Sequence, residues 1–155
     1  MTIIYITGLS GVGTTSALDE LNRRGYRTID TDYGGYVRNV ALEEGIAHYL
    51  NEEKMEHLLK SVGEEHLFIS GCCDNQGQFY KDFDMVVLLK ADLSTMFERI
   101  ENRTTNQYGK TPEQRQEILD NHAAVLPLLE KSSDVTIDTT HVSIQEVSDQ
   151  LEALL

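Results

Sequence analysis

Residues 2–15 read TIIYITGLSGVGTT, and this stretch decides the fold because a buried strand runs directly into a glycine-rich turn. Its first six residues are apolar, aromatic or β-branched, which predicts a strand from about Ile3 to Thr7. Gly8 and Gly13 keep the spacing of G-x-x-x-x-G-K-[ST], in which successive backbone N–H groups turn inward around phosphate oxygens. The next helix points its N-terminal dipole at the same place. The stretch predicts a phosphate-binding loop; a glycine turn without a phosphate role is the alternative.

The loop departs from the pattern at one position, because Thr14 stands where the lysine belongs. Thr15 supplies the hydroxyl group that holds Mg²⁺ in loops of this kind. A charge-assisted hydrogen bond contributes roughly 1.5–3 kcal/mol, so the missing lysine predicts ATP binding that is about ten- to a hundred-fold weaker. Loss of one group that faces the developing charge typically costs a further ~10²–10³ in rate. We therefore expect nucleotide binding to survive better than phosphoryl transfer, unless another cation fills the gap.

Composition and charge limit the classes of partner. The 155 residues predict a single domain, 1–155, and the formal net charge of −13 argues against non-specific binding to nucleic acid, which needs clustered lysine and arginine. The charge also argues against docking on an anionic membrane, and no apolar run approaches the ~20 residues of a membrane span. We expect a soluble, cytoplasmic protein with small-molecule partners, its oligomeric state open. The adjacent Cys72 and Cys73 imply no disulfide framework.

Hydrophobic periodicity predicts strands that alternate with helices. The predicted strands cover about Ile3–Thr7, Tyr26–Asp30, His66–Ser70, Met85–Leu89 and Val135–Asp138. The predicted helices cover about Thr14–Arg24, Met55–Val62, Leu93–Arg103, Pro112–Leu129 and Ser143 to the C-terminus. A less regular stretch runs from Asp32 to about Asn51. This order predicts an α/β fold of three layers, in which helices cover both faces of a five-stranded parallel sheet.

Two carboxylates, Asp30 and Asp32, follow the second predicted strand, and ligands of parallel sheets bind at the carboxyl ends of the strands. Residues two apart on a strand point the same way, so we expect both to face the ligand crevice. Such carboxylates hold Mg²⁺ through water or accept a proton from an acceptor hydroxyl group. The alternative is that Asp32 only caps the turn at residues 33–35.

Basic side chains near residue 103 predict a lid. Arg99 and Arg103 lie four residues apart on one helix and therefore on one face. A polar segment follows, and a cationic helix end that runs into such a segment is typical of a mobile lid over phosphates, here about residues 103–112. Lys110 in this segment is a candidate substitute for the charge absent at Thr14. The alternative is a solvated helix end whose arginines complement the helix dipole.

Gly71 opens a loop that is rich in amide side chains, among them Asn75 and Gln78. Amide groups combine donors and acceptors, so they suit a base edge or sugar hydroxyl groups. They equally suit the stabilisation of a loop bounded by glycines, and composition does not separate the two interpretations.

With these pieces in place, the chain resembles the small P-loop kinases, the group that holds shikimate kinases and nucleoside monophosphate kinases. The resemblance covers nearly the whole chain and rests on motifs in the family's order: Gly8–Thr15, Ile29–Asp32, Ser70–Gly71, Arg103 and Ile137–Thr139. Asn75–Tyr80 and Arg103–Glu113 resemble, more narrowly, a bacterial subgroup labelled shikimate-kinase-like or broad-specificity nucleotide kinases. The resemblance implies a three-layer P-loop NTPase fold and ATP-dependent phosphoryl transfer to a small-molecule or nucleotide acceptor.

The resemblance implies roles for the phosphate loop, Asp30, Asp32, Arg38, Arg103, Asp138 and Thr139, and the charge and amide arguments above add Arg99, Lys110, Gly71, Asn75 and Gln78. ATP, or another purine nucleoside triphosphate, would be bound by Gly8, Ser10, Gly11, Val12, Gly13, Thr14, Thr15, Ser16, Arg99, Asp138 and Thr139. Mg²⁺ would be held by Thr15 and Asp32. The catalytic residues would be Asp30, Asp32, Arg103 and Lys110. The acceptor would lie over about residues 33–62 and would contact Asp32, Arg38, Gly71, Asn75 and Gln78.

Three departures from the family pattern leave two hypotheses. Thr14 replaces the lysine, Ser70 stands where nucleotide kinases usually carry a Walker B aspartate, and Asp74 replaces the arginine that nucleoside monophosphate kinases use to hold the acceptor phosphate. An aspartate at that place repels a phosphate group. The chain is either a small-molecule kinase in which another cation supplies the lost charge, or a nucleotide-binding sensor that transfers little or nothing.

Overall fold

The computed structural model describes residues 1–155 and contains seven strands and six α-helices. The strands are β1 (Ile3–Thr7), β2 (Arg27–Asp30), β3 (Val37–Leu42), β4 (Gly45–Leu50), β5 (Leu67–Ser70), β6 (Met85–Lys90) and β7 (Val135–Asp138). The helices are α1 (Thr14–Arg23), α2 (Glu52–Lys60), α3 (Leu93–Asn102), α4 (Pro112–Ala124), α5 (Leu126–Ser132) and α6 (Ile144–Glu152). A 3₁₀ helix, Gln76–Asp82, lies between β5 and β6 in a segment predicted as a loop.

Five of the strands form one parallel sheet in the order β2-β5-β1-β6-β7. The central strand β1 is buried along its whole length, which is why it reads as a continuous apolar run. Ile6 pairs with Ser70 of β5 and with Val87 of β6, so the carboxyl ends of these three strands meet at one edge. The predicted five-stranded parallel sheet is confirmed.

The side chains of β1 alternate between two hydrophobic clusters, one on each face of the sheet. Ile4 and Ile6 enter a cluster that also receives the inner faces of α1, α3, α4, α5 and α6. Ile3 and Tyr5 enter a smaller cluster with α2 and the 3₁₀ helix. The three predicted layers are therefore present. None of the helices combines the length and the apolar character that a membrane crossing requires.

The expectation of a less regular stretch from Asp32 to Asn51 is wrong, because β3 and β4 form an antiparallel hairpin there. Asn39 pairs with His48, and Val37 pairs with Leu50. Most hairpin residues are exposed or half-buried, so the polar–apolar alternation that marks a strand is weak in this segment.

The predicted helix from Pro112 to Leu129 is also partly wrong, because it breaks at Val125 into α4 and α5. Pro127 in the first turn of α5 explains the break, since proline has no N–H group and its ring obstructs the preceding helical turn. Thr111 caps α4, since its hydroxyl oxygen accepts from the Gln114 backbone amide at 3.2 Å, while the Gln114 side chain accepts from the Gly109 amide at 2.9 Å. Gly25 ends α1 with a φ of 96°, which glycine adopts readily.

Candidate functional site

The loop between β1 and α1 is a tight turn that depends on its glycines. Gly11 and Gly13 have φ values of 83° and 101°, in the left-handed region that favours glycine. A Cβ at Gly8 would lie 2.5 Å from the carbonyl oxygen of Leu89. Gly13 is the N-cap of α1 and offers no side chain, and the first turn carries no acidic residue. The backbone N–H groups at this helix start have the electrostatics of an anion site.

Arg99 and Thr139 support this loop from behind. The Arg99 guanidinium donates to the carbonyl oxygens of Gly11 and Val12 at 3.3 and 3.4 Å, and to the Thr139 hydroxyl and carbonyl oxygens at 2.9 and 2.6 Å. The Thr139 hydroxyl in turn donates to the Val12 carbonyl at 2.7 Å. These hydrogen bonds occupy carbonyl groups of the loop, so the N–H groups of the loop stay available to a ligand in the cavity. The sequence predicted that both residues bind nucleotide. In the structure both side chains instead form hydrogen bonds with the backbone of the loop.

A cavity of about 570 Å³ opens at the carboxyl ends of β1, β2 and β5. Nine of the predicted site residues line it: Gly8, Ser10, Gly11, Thr14, Thr15, Asp30, Asp32, Gly71 and Arg103. Ten do not line it: Val12, Gly13, Ser16, Arg38, Asn75, Gln78, Arg99, Lys110, Asp138 and Thr139. The phosphate loop and the two aspartates therefore meet in one place, as the strand order requires.

Asp30 and Asp32 occupy different environments in this cavity. The Asp30 carboxylate is half-buried and accepts from the Asp32 amide at 3.0 Å, and the Thr15 hydroxyl lies beside it. Burial raises the pKa of Asp30, while the Asp32 amide and the Thr15 hydroxyl oppose that rise. Asp32 is exposed to the open part of the cavity. Asp30 thus lies beside the hydroxyl of Thr15, and Asp32 faces the space beyond it.

The β3–β4 hairpin forms one wall of the cavity. Val37, Asn39 and His48 line this wall, and the Asn39 Oδ1 and His48 Nδ1 atoms lie 2.7 Å apart. Arg38 lies on the opposite face, because successive strand residues alternate, so its predicted contact with an acceptor is not supported. Sequence reasoning missed Asn39 and His48, because both faces of the hairpin mix polar and apolar residues and no motif singles out these two.

The amide-rich loop after β5 serves mainly to hold the hairpin. The Asn75 side chain accepts from the Leu50 amide at 2.7 Å and donates to the Leu50 carbonyl at 3.1 Å. Gln78 donates to the Glu52 carboxylate at 3.1 Å. Of the two interpretations of this loop, the geometry favours stabilisation, and the predicted acceptor contacts of Asn75 and Gln78 are not supported.

Cys72 and Cys73 also line the cavity, a position that sequence reasoning did not assign to them. Burial raises the pKa of Cys73 to about 12, with the charges of Cys72, Asp32 and Asp74 adding to the effect. The pKa of Cys72 is raised as well, first by desolvation within the cavity. Both thiol groups therefore stay protonated near neutral pH and act as uncharged parts of the wall.

Arg103 is the basic residue of the cavity, and the lid folds around it. Its Nε and Nη2 atoms donate to the carbonyl oxygens of Asn106 and Tyr108 at 3.0 and 2.6 Å. Lys110 donates instead to the Arg103 carbonyl oxygen at 2.6 Å, outside the cavity lining. The expectation that Lys110 replaces the missing loop lysine is therefore not supported by its position. Gly109 closes the lid between α3 and α4, where a Cβ would lie 2.8 Å from Ile100.

A second, more open cavity lies on the far side of Arg99 and Arg103. It is lined by Thr95, Glu98, Arg99, Asn102, Arg103, Thr140 and His141. Asp138 stands near this place at the end of β7, where its carboxylate accepts from the Thr140 hydroxyl and amide at 2.6 and 2.9 Å. These two bonds hold the pKa of Asp138 below its usual range. Asp138 thus shapes the turn after β7 and does not line either cavity.

The chain resembles known proteins along most of its length. Residues 4–120 match the family model described as AAA domain. A protein of Archaeoglobus fulgidus, provisionally named an adenylate kinase, is 24% identical over 155 residues, covering 99% of this chain and 82% of that protein. A nucleotide-binding protein of Pseudomonas fluorescens is 24% identical over 173 residues; all of this chain is covered, and it spans 55% of that relative's length. The shikimate kinase of Acinetobacter baumannii, solved with shikimate, has a TM-score of 0.66 at 16% identity, covering 99% of this chain and 92% of that one.

Proposed function

Because the chain belongs to the AAA domain family and is a nucleotide-binding protein of the small P-loop kinase type, we propose that it transfers the γ-phosphoryl group of ATP to a small-molecule acceptor. One observation carries this proposal: the phosphate loop, the Asp30–Asp32 pair and Arg103 line a single cavity at the carboxyl ends of the strands. A protein that only binds nucleotide has no need of a carboxylate that faces the open part of this cavity.

The residues present fit Mg²⁺ and the phosphates of ATP. Thr15 and Asp30 offer neighbouring hydroxyl and carboxylate oxygens, the hard ligands that Mg²⁺ prefers. No three acidic, histidine or cysteine side chains are grouped closely enough to hold a metal ion by themselves. In this proposal substrate phosphates and water supply the remaining ligands of Mg²⁺. When bound, Mg²⁺ supplies charge neutralisation on the phosphate oxygens. In this proposal Thr15 and Asp30 hold the ion, rather than Thr15 and Asp32.

The transfer step assigns a role to each cavity side chain. The acceptor hydroxyl oxygen forms a bond to the γ-phosphorus while the bond from that phosphorus to the β–γ bridging oxygen breaks, releasing ADP. Asp32 accepts the proton that the hydroxyl group loses, because it faces the open space beyond the loop. Arg103 stabilises the charge on the phosphoryl oxygens, since its Nη1 atom has no protein hydrogen-bond partner.

The second candidate function is a nucleotide-binding sensor without efficient transfer. The observation that favours it is Thr14 together with the position of Lys110, whose ammonium group is engaged by a backbone carbonyl outside the cavity. Arg103 is then the one Lys or Arg side chain in the lining. On this view the loop and helix N-terminus still bind the phosphates, but the charge at the transferring group is insufficient.

Calorimetric titration of Mg²⁺·ATP into the wild-type protein and Thr14→Lys tests the proposal, together with an assay of ADP release in the presence of acceptor mixtures. We expect wild-type binding, acceptor-dependent ADP release and, for Thr14→Lys, affinity about ten- to a hundred-fold tighter. Thr14→Gln, which lengthens the side chain without adding a positive charge, is the matched control and should not gain this affinity. Binding without acceptor-dependent release in the wild type, with release restored in Thr14→Lys, supports the sensor instead. No binding at millimolar ATP contradicts both functions.

A further inference from the structure

The cavity that we propose as the kinase site has an unusual balance of charge. We infer that its acceptor is a hydroxyl compound that carries no phosphate or carboxylate group, an inference that rests on the proposed function. Three carboxylates, Asp30, Asp32 and Glu117, line the cavity against the single guanidinium of Arg103. An anionic acceptor would enter a cavity that already carries an excess of negative charge and must also take the triphosphate.

The other basic residues are engaged or placed elsewhere. The chain has thirteen Lys and Arg residues, and twelve of them do not line the cavity: Arg23, Arg24, Arg27, Arg38, Lys54, Lys60, Lys81, Lys90, Arg99, Lys110, Arg115 and Lys131. Lys54 follows the hairpin in sequence, but its ammonium group donates to the Gly34 carbonyl and lies 4.8 Å from the centre of the Tyr36 ring. Arg38 lies on the outer face of the hairpin. No Lys or Arg side chain of the lining is therefore left for an acceptor anion once Arg103 contacts the transferring group.

The acceptor wall offers an amide and an imidazole group, which suit hydroxyls. Asn39 and His48 are joined at 2.7 Å through Oδ1 and Nδ1, which leaves the Asn39 amide nitrogen and the His48 Nε2 atom for a ligand. A further carboxylate lies next to this wall without lining the cavity, since Asp74 accepts from the His48 backbone amide at 2.8 Å. Hydroxyl groups bind such donors and acceptors without charge, whereas a phosphate or carboxylate is repelled.

Matched pairs of acceptors that differ in one anionic group test the inference. Suitable pairs are adenosine with adenosine 5′-monophosphate, and the methyl ester of shikimate with shikimate. Each compound is titrated by calorimetry into wild-type protein saturated with Mg²⁺ and a non-hydrolysable ATP analogue, and ADP release is measured in parallel with Mg²⁺·ATP. We expect the uncharged member of at least one pair to bind about 10-fold or more tightly than its anionic partner.

A charge placed on the wall provides the reciprocal test. Asn39→Arg adds a guanidinium to the cavity face, so the preference should shift toward the anionic member by about 10-fold. Arg38→Asn removes a charge from the outer face and should leave the preference unchanged. Asn39→Gln keeps an uncharged amide and controls for the change in size.

The outcomes separate the inference from the proposed function. Equal or tighter binding of the anionic members overturns the inference, and so does the absence of binding by every compound. Preferential binding of the uncharged members without ADP release supports the inference about charge but contradicts the kinase function. Preferential binding with ADP release supports both.

Discussion

Arg99 joins the phosphate loop to the end of β7 by donating to two oxygen atoms of Thr139, the hydroxyl at 2.9 Å and the carbonyl at 2.6 Å. The same guanidinium reaches the carbonyl groups of Gly11 and Val12. A planar guanidinium donates in several directions at once, which an ammonium group does not reproduce. The loop is thus held in its turn by a side chain from α3, more than eighty residues along the chain.

We expect Arg99→Lys to destabilise the fold and weaken nucleotide binding. The loss of hydrogen bonds from a charged group corresponds to about 1.5–3 kcal/mol in the free energy of unfolding. Nucleotide affinity should fall as well, because the loop N–H groups are no longer held toward the cavity. Urea unfolding and Mg²⁺·ATP calorimetry measure the two effects. Arg115→Lys is the matched control, since its guanidinium lies 4.5 Å from the centre of the Phe97 ring and makes no contact with the loop. Equal affinity in Arg99→Lys and wild type would contradict the supporting role.

We expect Arg103 and Lys110 to differ sharply in their effect on transfer. Arg103→Ala removes the one guanidinium of the cavity and should lower the rate of ADP release by about 10²–10³. Lys110→Ala removes only the bond from Nζ to the Arg103 carbonyl oxygen, so its rate should stay within a few-fold of the wild type. Single-turnover assays at saturating Mg²⁺·ATP compare them. A rate for Lys110→Ala as low as that for Arg103→Ala would show that the lid rearranges to bring Lys110 to the phosphates.

Asp30→Asn should stabilise the folded protein at neutral pH while weakening binding of Mg²⁺·ATP. Burial raises the folded-state pKa of Asp30 above its unfolded value, so the folded state binds the proton more tightly. The wild type therefore loses stability, relative to the variant, as pH rises from about 4 through the raised pKa. Thermal unfolding of both proteins between acid and neutral pH measures this difference. Parallel curves throughout would show that the Asp30 carboxyl is not desolvated in the folded state.

Gly71 leaves no room for a side chain. A Cβ at this position would lie 2.3 Å from the Thr31 hydroxyl oxygen and 2.7 Å from the Tyr5 hydroxyl oxygen, and both residues are fully buried. Gly71→Ala should therefore reduce the free energy of unfolding by about 1–3 kcal/mol. Gly77→Ala is the control, since a Cβ there has no heavy atom within 4 Å. Chemical denaturation that gives the same loss for both variants would contradict the crowding at Gly71.

The inner strands of the sheet could be predicted because β1, β5 and β6 are buried and therefore consist largely of apolar residues. The interior of β1 consists of isoleucine and Tyr5, and that of β6 of valine and leucine; the predicted limits of both strands agree with the observed ones to within one residue. The hairpin could not be predicted from the sequence, because β3 and β4 are largely exposed and carry polar residues on both faces. The break at Val125 was also missed, although Pro127 was present as a local signal.

The residues of the candidate site also fall into two groups, those that local sequence motifs identified and those that only the structure revealed. Local motifs identified the phosphate loop, Asp30 and Asp32, because contiguous residues on a strand end or a turn keep their relation in any α/β fold. Asn39, His48 and Glu117 reach the cavity from separate elements, so no spacing in sequence links them to the loop. Arg99, Lys110 and Asn75 were predicted as site residues from their charge or amide group alone. Their hydrogen bonds to Thr139, Arg103 and Leu50 show that these side chains hold the protein backbone.

The sequence by itself determined the positions of the five strands of the parallel sheet along the chain, the phosphate-binding turn and the absence of its lysine. These features depend on local backbone preference, on the burial of apolar runs and on the residues themselves. The tertiary structure alone decided which charges share the cavity. In the structure Arg38 lies on the outer face of the hairpin, Arg99 binds the loop carbonyl groups and Lys110 lies outside the cavity lining. Arg103 is therefore the one Lys or Arg side chain in a cavity that three carboxylates line. Electrostatic interaction depends on distance and exposure in three dimensions, which the position of a charge along the chain does not define.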